Sequence, residues 1–172
     1  MAHDLIELAA RVGETLKTHG LMLATAESCT GGGVAQAITE IPGSSAWFDR
    51  GFVTYSNASK MALLDVPASV LEAHGAVSRE TAAAMSTGAL RNSDAQVALS
   101  TTGIAGPDGG TPDKPVGTVC FGWVLGEKLM TERVQFSGDR HAVRTQSIEH
   151  ALRGLLVFLD QPLEPAISRD ND

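Results

Sequence analysis

The stretch from Leu21 to Gly33, "LMLATAESCTGGG", decides the fold of this chain. Its apolar first part, Leu21 to Thr25, is typical of a short buried strand. Three glycines, 31–33, are predicted to open a helix that continues through "VAQAIT". The stretch therefore predicts a strand, a tight turn and a helix, which together form the building unit of an α/β protein.

Outward from this stretch, helices and strands alternate along the chain. Helices are predicted at 3–18, 31–41, 56–64, 67–75, 78–92 and about 140–159, and strands at 21–26, 47–56, 95–102, 117–125 and 129–136. The last two strands are predicted to form a hairpin across 126–128. This order predicts a three-layer α/β/α sandwich with a mixed sheet of about five strands. We expect a single domain over 1–172, with its core at about 5–159 and a frayed tail at 160–172.

The composition excludes several classes of protein. Apolar residues make up 43% and charged residues 19% of the chain, as in folded globular domains. No stretch approaches the roughly 18 apolar residues of a membrane helix, and the N-terminal segment is not a signal peptide. With 13 basic and 20 acidic residues, the net charge of −7 argues against nucleic-acid binding. Two cysteines are too few for a disulfide framework, and no metal-site spacing is present. We expect a bacterial-type cytoplasmic enzyme or binding protein.

The turn "AESCTGGG", 26–33, allows three interpretations. Ser28 at a strand end, beside the free N–H groups of a helix start, could be a nucleophile with an oxyanion site. A helix start also attracts phosphate, although neither G-x-G-x-x-G nor G-K-[ST] is present. The glycines could also simply allow a tight bend. Cys29 is the rival nucleophile, but adjacent residues at a turn point in different directions.

The segment "YSNASK", 55–60, offers a base for such a serine. If Ser56 is the N-cap of a helix, Lys60 lies in the first turns, where the helix dipole lowers the pKa of its ammonium. A lysine made neutral by burial and by this field could act as general base toward a serine hydroxyl. The alternative is a solvated lysine on a helix face. Tyr55 could orient a proton, or it could be packing at a strand end.

Two further segments carry polar groups that suit a phosphorylated ligand. Thr102 and Gly103 begin the long glycine-rich loop after the third strand, and loops of this length are often functional. Arg140 and Arg144 are four residues apart, so they share one face at the start of the last helix. They are predicted to bind phosphate or, alternatively, to pair with acidic neighbours. His141 between them has no identifiable carboxylate partner.

Taken together, these motifs closely resemble those of the CinA C-terminal family, the nicotinamide-nucleotide amidases. The resemblance runs from about Leu5 to Leu159 and rests on the following stretches: "AESCTGG", "PGSS", "GFVTYSN" with the lysine three residues on, "GAVS", "TGIAGPDGG" and "KPVGTV". It implies an anticodon-binding-domain-like α/β/α fold. It also implies hydrolysis of nicotinamide mononucleotide to nicotinate mononucleotide and ammonia, in pyridine nucleotide salvage, by a Ser–Lys mechanism without metal or cofactor. A homodimer is the family expectation.

Carried onto matching positions, the resemblance assigns the site residues. Ser28 is the nucleophile, Lys60 its base and Tyr55 an assisting group. The substrate-binding residues implied are Thr30, Gly31, Gly32, Thr102, Gly103, Arg140 and Arg144. In this assignment Cys29 is a small buried packing residue.

Two alternative functions, an expectation about the chain ends and an expectation about Asp65 accompany this assignment. A non-catalytic module that senses pyridine nucleotides would keep the glycine loops and arginines without needing Lys60. An interaction protein in competence or DNA-damage response has no support in this acidic sequence. Many relatives carry an N-terminal molybdopterin-binding-like domain, and we expect this chain to be the stand-alone form. Asp65 stands where relatives often have glycine, which we expect to affect only a surface turn.

Overall fold

The computed structural model describes residues 1–160. Of the predicted tail at 160–172, only Asp160 falls within this part, as the last residue of the final helix; the rest lies outside the described residues.

A five-stranded mixed sheet forms the centre, as predicted. Its strands are β1 (Leu23–Glu27), β2 (Phe48–Val53), β3 (Val97–Gly103), β4 (Thr118–Leu125) and β5 (Lys128–Gln135). They lie in the order β2-β1-β3-β4-β5. The first three run parallel, whereas β4 pairs antiparallel with both β3 and β5. The carboxyl ends of β1, β2 and β3 therefore meet at one edge, where ligands bind in open α/β sheets.

Helices cover both faces of the sheet. They are α1 (His3–His19), α2 (Gly33–Thr39), α3 (Asn57–Leu64), α4 (Ala68–His74), α5 (Arg79–Arg91) and α6 (Arg140–Asp160), with a short 3-10 turn at Ser44–Ala46. One core joins the sheet to α1, α2 and α6 through large side chains such as Leu23, Leu99 and Trp123. The other joins it to α3 and α5 through small ones such as Ala24 and Ala98. Along β3, the alternation of large and small side chains thus separates the two faces.

On the side of the sheet that carries the small side chains, α5 packs closely against the end of α3. A Cβ atom at Gly88 would overlap the main-chain carbonyl of Leu64, the last residue of α3. This position therefore requires glycine for close packing, because no side chain could move out of the way.

The predicted element boundaries needed three corrections. Gly31 and Gly32 have positive φ values of 61° and 98°, so they form the turn and only Gly33 belongs to α2. The second strand ends at Val53 rather than at position 56, because the side chain of Ser56 caps α3 and the chain has left the sheet before it. Pro67 is the N-cap of α4 rather than its first residue.

Candidate active site

The candidate site lies at the carboxyl edge of the three parallel strands. Ser28 follows β1 directly, Thr54 and Tyr55 follow β2, and Gly103 ends β3. Parallel strands bring these three chain segments together although they are far apart in sequence.

Ser28 and Lys60 form a buried pair. The Lys60 Nζ atom lies 3.1 Å from Ser28 Oγ and donates a second hydrogen bond to the Thr54 carbonyl at 2.8 Å. Lys60 is 1% exposed and Ser28 7% exposed. The alternative of a solvated lysine on a helix face is therefore wrong, since this side chain is enclosed and aimed at the serine.

Burial lowers the pKa of the Lys60 ammonium, because the charged form loses its hydration. Within residues 1–160 no carboxylate pairs with Lys60 to offset this loss. The direction of the shift agrees with the sequence-based prediction, and desolvation by burial is its largest cause. The neutral amine that a general base requires is thus favoured by the fold.

The start of α3 places Lys60. Ser56 accepts a hydrogen bond from the Ser59 N–H at 3.1 Å, and the Ser59 hydroxyl accepts one from the Ser56 N–H at 3.1 Å. This reciprocal capping box confirms Ser56 as the N-cap. Lys60 follows immediately, and its N–H donates to the Ser56 carbonyl at 3.1 Å. The cap therefore sets the rotation of the helix that turns Lys60 inward.

Glu27 is a site residue that the sequence reasoning missed. Its side chain is fully buried at the N-terminus of α2, where Oε1 accepts from the Thr30 hydroxyl at 2.6 Å and the Val34 N–H at 2.8 Å. Its Oε2 accepts from the Ala35 N–H at 3.1 Å. This carboxylate occupies the helix start that would otherwise attract a phosphate, so the phosphate-cradle interpretation of the turn is not supported. Its only sequence signal was a charged residue at the end of an apolar strand.

Glu27 also connects the chain segments that hold Ser28 and Lys60. Its main-chain carbonyl accepts from the Thr54 N–H at 2.8 Å, and the Thr54 carbonyl holds Lys60 Nζ. Its side chain meanwhile holds the turn that begins with Ser28. Glu27 therefore contacts both the turn that carries Ser28, the candidate nucleophile, and Thr54, which binds Lys60, the candidate base.

Cys29 is a core residue, as expected. It is buried among the apolar side chains of the α1, α2 and α6 face. Burial raises the pKa of its thiol to about 12, so the thiol stays protonated and weakly nucleophilic at neutral pH. Ser28 is the better placed of the two candidate nucleophiles.

A cavity of about 270 Å³ opens beside the pair. Ser28, Lys60, Tyr55, Gly103 and Arg140 are among the residues that line it. Tyr55 is 64% exposed, and its hydroxyl accepts a hydrogen bond from Arg140 at 3.0 Å. The tyrosine and the arginine therefore lie at the mouth of the cavity, while Ser28 and Lys60 lie at its buried end.

The other predicted binding residues are distributed around this cavity. Thr102 lines it, but its hydroxyl donates to the Ala76 carbonyl at 2.7 Å. Thr30 is fully buried, with its hydroxyl bonded to Glu27 and Thr101, and neither it nor Gly31 or Gly32 lines the cavity.

The turn leaves few main-chain donors for an oxyanion. The N–H of Ser28 donates to Thr101 and that of Gly31 to Ser28, both at 3.0 Å. Within the described part of the chain, the N–H groups of Cys29, Thr30 and Gly32 donate to no main-chain carbonyl, and of these three residues only Cys29 lines the cavity.

Arg140 and Arg144 line a second, adjoining cavity of about 680 Å³. Arg144 donates to the carbonyls of Cys29 at 3.1 Å and Thr30 at 3.2 Å, so it braces the turn. Arg140 donates to the Gly106 carbonyl at 2.9 Å. Neither arginine forms an ion pair within residues 1–160, so the predicted alternative of pairing with acidic neighbours is wrong.

The described residues contain no helix long and apolar enough to cross a membrane. They also contain no group of three or more histidine, cysteine or acidic side chains arranged to hold a metal ion.

Comparisons with known proteins identify the family of this chain. The family model for the CinA C-terminal domain matches residues 5–159. Nicotinamide-nucleotide amidohydrolase PncC of Pseudomonas putida is 54% identical over 149 residues, covering 87% of this chain and 93% of that protein. The protein of the same name from Escherichia coli K12 is 52% identical over 154 residues, covering 88% and 93%.

Solved structures show the same fold. The competence/damage inducible protein CihA from Agrobacterium tumefaciens superposes with a TM-score of 0.90 at 44% identity, covering 94% of this chain and 98% of its own. A CinA superfamily protein from Klebsiella pneumoniae gives 0.87 at 40% identity, covering 90% and 97%. Sequence, fold and family model agree, and this chain belongs to the CinA C-terminal domain family.

Proposed function

We propose that this protein is a nicotinamide-nucleotide amidase, which hydrolyses the carboxamide of nicotinamide mononucleotide to nicotinate mononucleotide and ammonia. The observation that carries the proposal is the buried Ser28–Lys60 pair, 3.1 Å apart, at the end of a small cavity. The name of the relatives that are 52% to 54% identical supports the choice of substrate.

The first step is attack on the carboxamide. Neutral Lys60 accepts the proton of the Ser28 hydroxyl while Oγ forms a bond to the amide carbon. The carbonyl oxygen becomes an oxyanion, for which the N–H group of Cys29 is the proposed donor, because Cys29 follows the nucleophile and lines the cavity. Lys60 is then an ammonium within reach of the former amide nitrogen.

The second step releases ammonia and the third regenerates the enzyme. Lys60 gives its proton to the leaving nitrogen, the carbon–nitrogen bond breaks, and an ester forms between Ser28 and the nicotinoyl group. Water then attacks this ester while Lys60 accepts its proton. The Ser28 oxygen leaves and takes that proton back, so serine and amine return to their starting states. The sequence of steps uses no metal and no cofactor.

The two ends of the cavity fit the two ends of such a substrate. The buried end admits the flat nicotinamide ring, with its amide at Ser28. The mouth carries the Tyr55–Arg140 pair, and Arg144 lies in the adjoining cavity. We propose that the phosphate binds on the arginine side and that Tyr55 orients the bound nucleotide.

The wider setting follows from the family resemblance. We propose a homodimer that acts in the cytoplasm, in pyridine nucleotide salvage, on a small nucleotide rather than on nucleic acid or at a membrane. The charge of −7 agrees with the exclusion of nucleic acid.

An ammonia-release assay with nicotinamide mononucleotide tests the proposal. Ser28→Ala and Lys60→Met should each lower kcat by about 10³-fold or more, whereas Cys29→Ser should stay within a few fold of wild type. Unchanged circular dichroism would show that each variant folds. If wild type binds the nucleotide but releases no ammonia, the non-catalytic sensing module replaces the amidase. If Cys29→Ser is the inactive variant, the nucleophile is misassigned.

A further inference from the structure

Within residues 1–160, most cationic side chains that form no ion pair lie around two cavities. Arg140 and Arg144 lie at the candidate active site, as described above. Three others, Arg79, Lys114 and Arg133, line a separate cavity of about 540 Å³. We refer to it as the basic cavity.

The three cations reach the basic cavity from three different parts of the fold. Arg79 is the first residue of α5, Lys114 lies in the loop between β3 and β4, and Arg133 is on β5. Since they are far apart in sequence, their convergence is a property of the tertiary structure. Neighbouring positions on the face of a single helix do not account for this convergence.

None of the three charges is neutralised within residues 1–160. Lys114 Nζ donates to the His74 carbonyl at 2.6 Å, and Arg133 donates to the Asp113 carbonyl. The Arg79 guanidinium makes no hydrogen bond and no ion pair in the described chain. One carboxylate, that of Glu80, lines the basic cavity, and it lies 3.7 Å from His74 Nδ1. The cavity therefore carries a positive excess.

The basic cavity adjoins the catalytic cavity. Val77 lines both, and the preceding carbonyl, of Ala76, accepts the hydroxyl of Thr102 at 2.7 Å. Across the sheet, Thr102, Cys120 and Arg133 are in register on β3, β4 and β5. At a strand spacing of about 4.8 Å, Thr102 and Arg133 are roughly 10 Å apart.

We propose that the basic cavity is a second anion site, which binds the phosphoryl group of a nucleotide or of another phosphorylated small molecule. Two guanidinium groups and an ammonium suit a multiply charged phosphate, because guanidinium groups bind its oxygens in pairs. A volume of about 540 Å³ exceeds what one phosphate needs and lies in the range of sites for drug-sized ligands. This proposal goes beyond the amidase activity and does not depend on it.

Calorimetric titration with inorganic pyrophosphate tests the site without reference to catalysis. The cavity variant replaces Arg79, Lys114 and Arg133 by Gln. The matched control replaces Arg11, Arg91 and Arg153 by Gln and removes the same charge elsewhere. We expect saturable binding to wild type, at least about tenfold weaker binding at this site in the cavity variant, and unchanged binding at it in the control. Arg140→Gln should change only binding at the separate phosphate site proposed beside the candidate active site.

Several results would overturn the second anion site. The first is that wild type shows no saturable binding at millimolar pyrophosphate. The second is that the cavity variant and the control lose pyrophosphate affinity equally. The third is that Arg140→Gln loses pyrophosphate binding while the cavity variant binds it as wild type does. If the cavity variant does not fold, Arg79→Gln alone decides, since that side chain makes no bond in the described chain. It should weaken binding at least a few fold, and an unchanged affinity would count against the site.

A parallel titration with orthophosphate and with AMP identifies the source of the phosphoryl group. Tighter binding of AMP, by about tenfold or more, would identify a nucleotide as the occupant. Equal affinity would identify free phosphate. In either case the binding must weaken in the cavity variant, and binding that does not weaken contradicts the proposal.

Discussion

At the scale of single residues, Lys60 carries the strongest constraint. A lysine that is 1% exposed, with no acidic partner among residues 1–160, costs stability, because its ammonium loses hydration and gains only hydrogen bonds. An apolar residue of the same length would pack there without that cost. Such a lysine is typical of a site where function opposes stability.

We predict that kcat/KM falls at low pH because Lys60 must be neutral. Below the pKa of Lys60 the decline should approach about tenfold per pH unit. Since burial lowers this pKa, the decline should begin below about 10.4, the ordinary value for lysine. A pH profile of kcat/KM measures this. A rate that is independent of pH wherever the protein is folded would contradict a lysine base.

The same shift predicts the direction of a stability change. The folded protein binds the Lys60 proton less tightly than the unfolded chain does. Stability should therefore rise with pH between the lowered pKa and about 10.4. Urea unfolding of wild type and Lys60→Met across this window provides the control, since the variant should lack this contribution.

Glu27 is the second residue whose role depends on burial. Its carboxylate accepts three hydrogen bonds, from Thr30, Val34 and Ala35. A glutamine amide has only one oxygen, so its NH₂ group would face at least one of these donors. The turn that carries Ser28 would then shift.

We predict that Glu27→Gln lowers kcat about 10- to 100-fold with little change in KM, because the nucleophile moves while the binding groups at the mouth stay in place. Stability should fall by about 1–3 kcal/mol. Steady-state kinetics and urea unfolding test both effects. A rise in KM at constant kcat would show that Glu27 instead supports substrate binding.

At the scale of elements, α3 is short, yet it carries the base. Of its eight residues only Lys60 and Leu64 are buried, so packing alone holds it weakly. Its N-terminal capping box and the contact of Leu64 with Gly88 of α5 fix both ends. The geometry of the catalytic pair thus depends on helix ends rather than on a large apolar face.

We predict that Ser56→Ala destabilises the protein by about 1 kcal/mol through loss of the cap. It should also lower kcat, because the first turn of α3 carries Lys60. Ser56→Thr keeps a capping hydroxyl and should restore both properties. If Ser56→Ala lowers stability but leaves kcat unchanged, the cap does not position the base.

At the scale of the whole molecule, the two cores share one sheet. The core with α1, α2 and α6 contains Trp47 and Trp123, both buried, whereas the core with α3 and α5 contains no tryptophan. Strands β1, β3 and β4 contribute buried residues to both cores, so loss of one face removes the support of the other. This arrangement favours unfolding as a single unit.

We predict one cooperative urea transition, with an m-value of about 1–3 kcal/mol/M. Tryptophan fluorescence reports the core with α1, α2 and α6, while far-ultraviolet circular dichroism reports helices on both faces. The two curves should coincide. Separated midpoints would show that the faces unfold independently and would contradict the expected single domain.

The sequence by itself determined the order of elements, the mixed sheet and the position of the turn. Apolar runs, glycines and the Ser56 cap are local signals, and local signals decide where strands and helices form. The family motifs also marked Ser28 and Lys60 as a candidate pair. Element ends were less certain, as at Gly31 and Gly32, because backbone angles rather than composition decide where a helix begins.

Only the tertiary structure decided which charges are buried and which side chains meet. Glu27 and Lys60 are both enclosed, although charged residues are usually exposed. No local pattern predicts which N–H and hydroxyl groups donate hydrogen bonds to Glu27. The convergence of Arg79, Lys114 and Arg133 is likewise invisible in sequence, since the three come from separate elements. Burial and long-range contact depend on how the layers pack, and packing is a property of the whole chain.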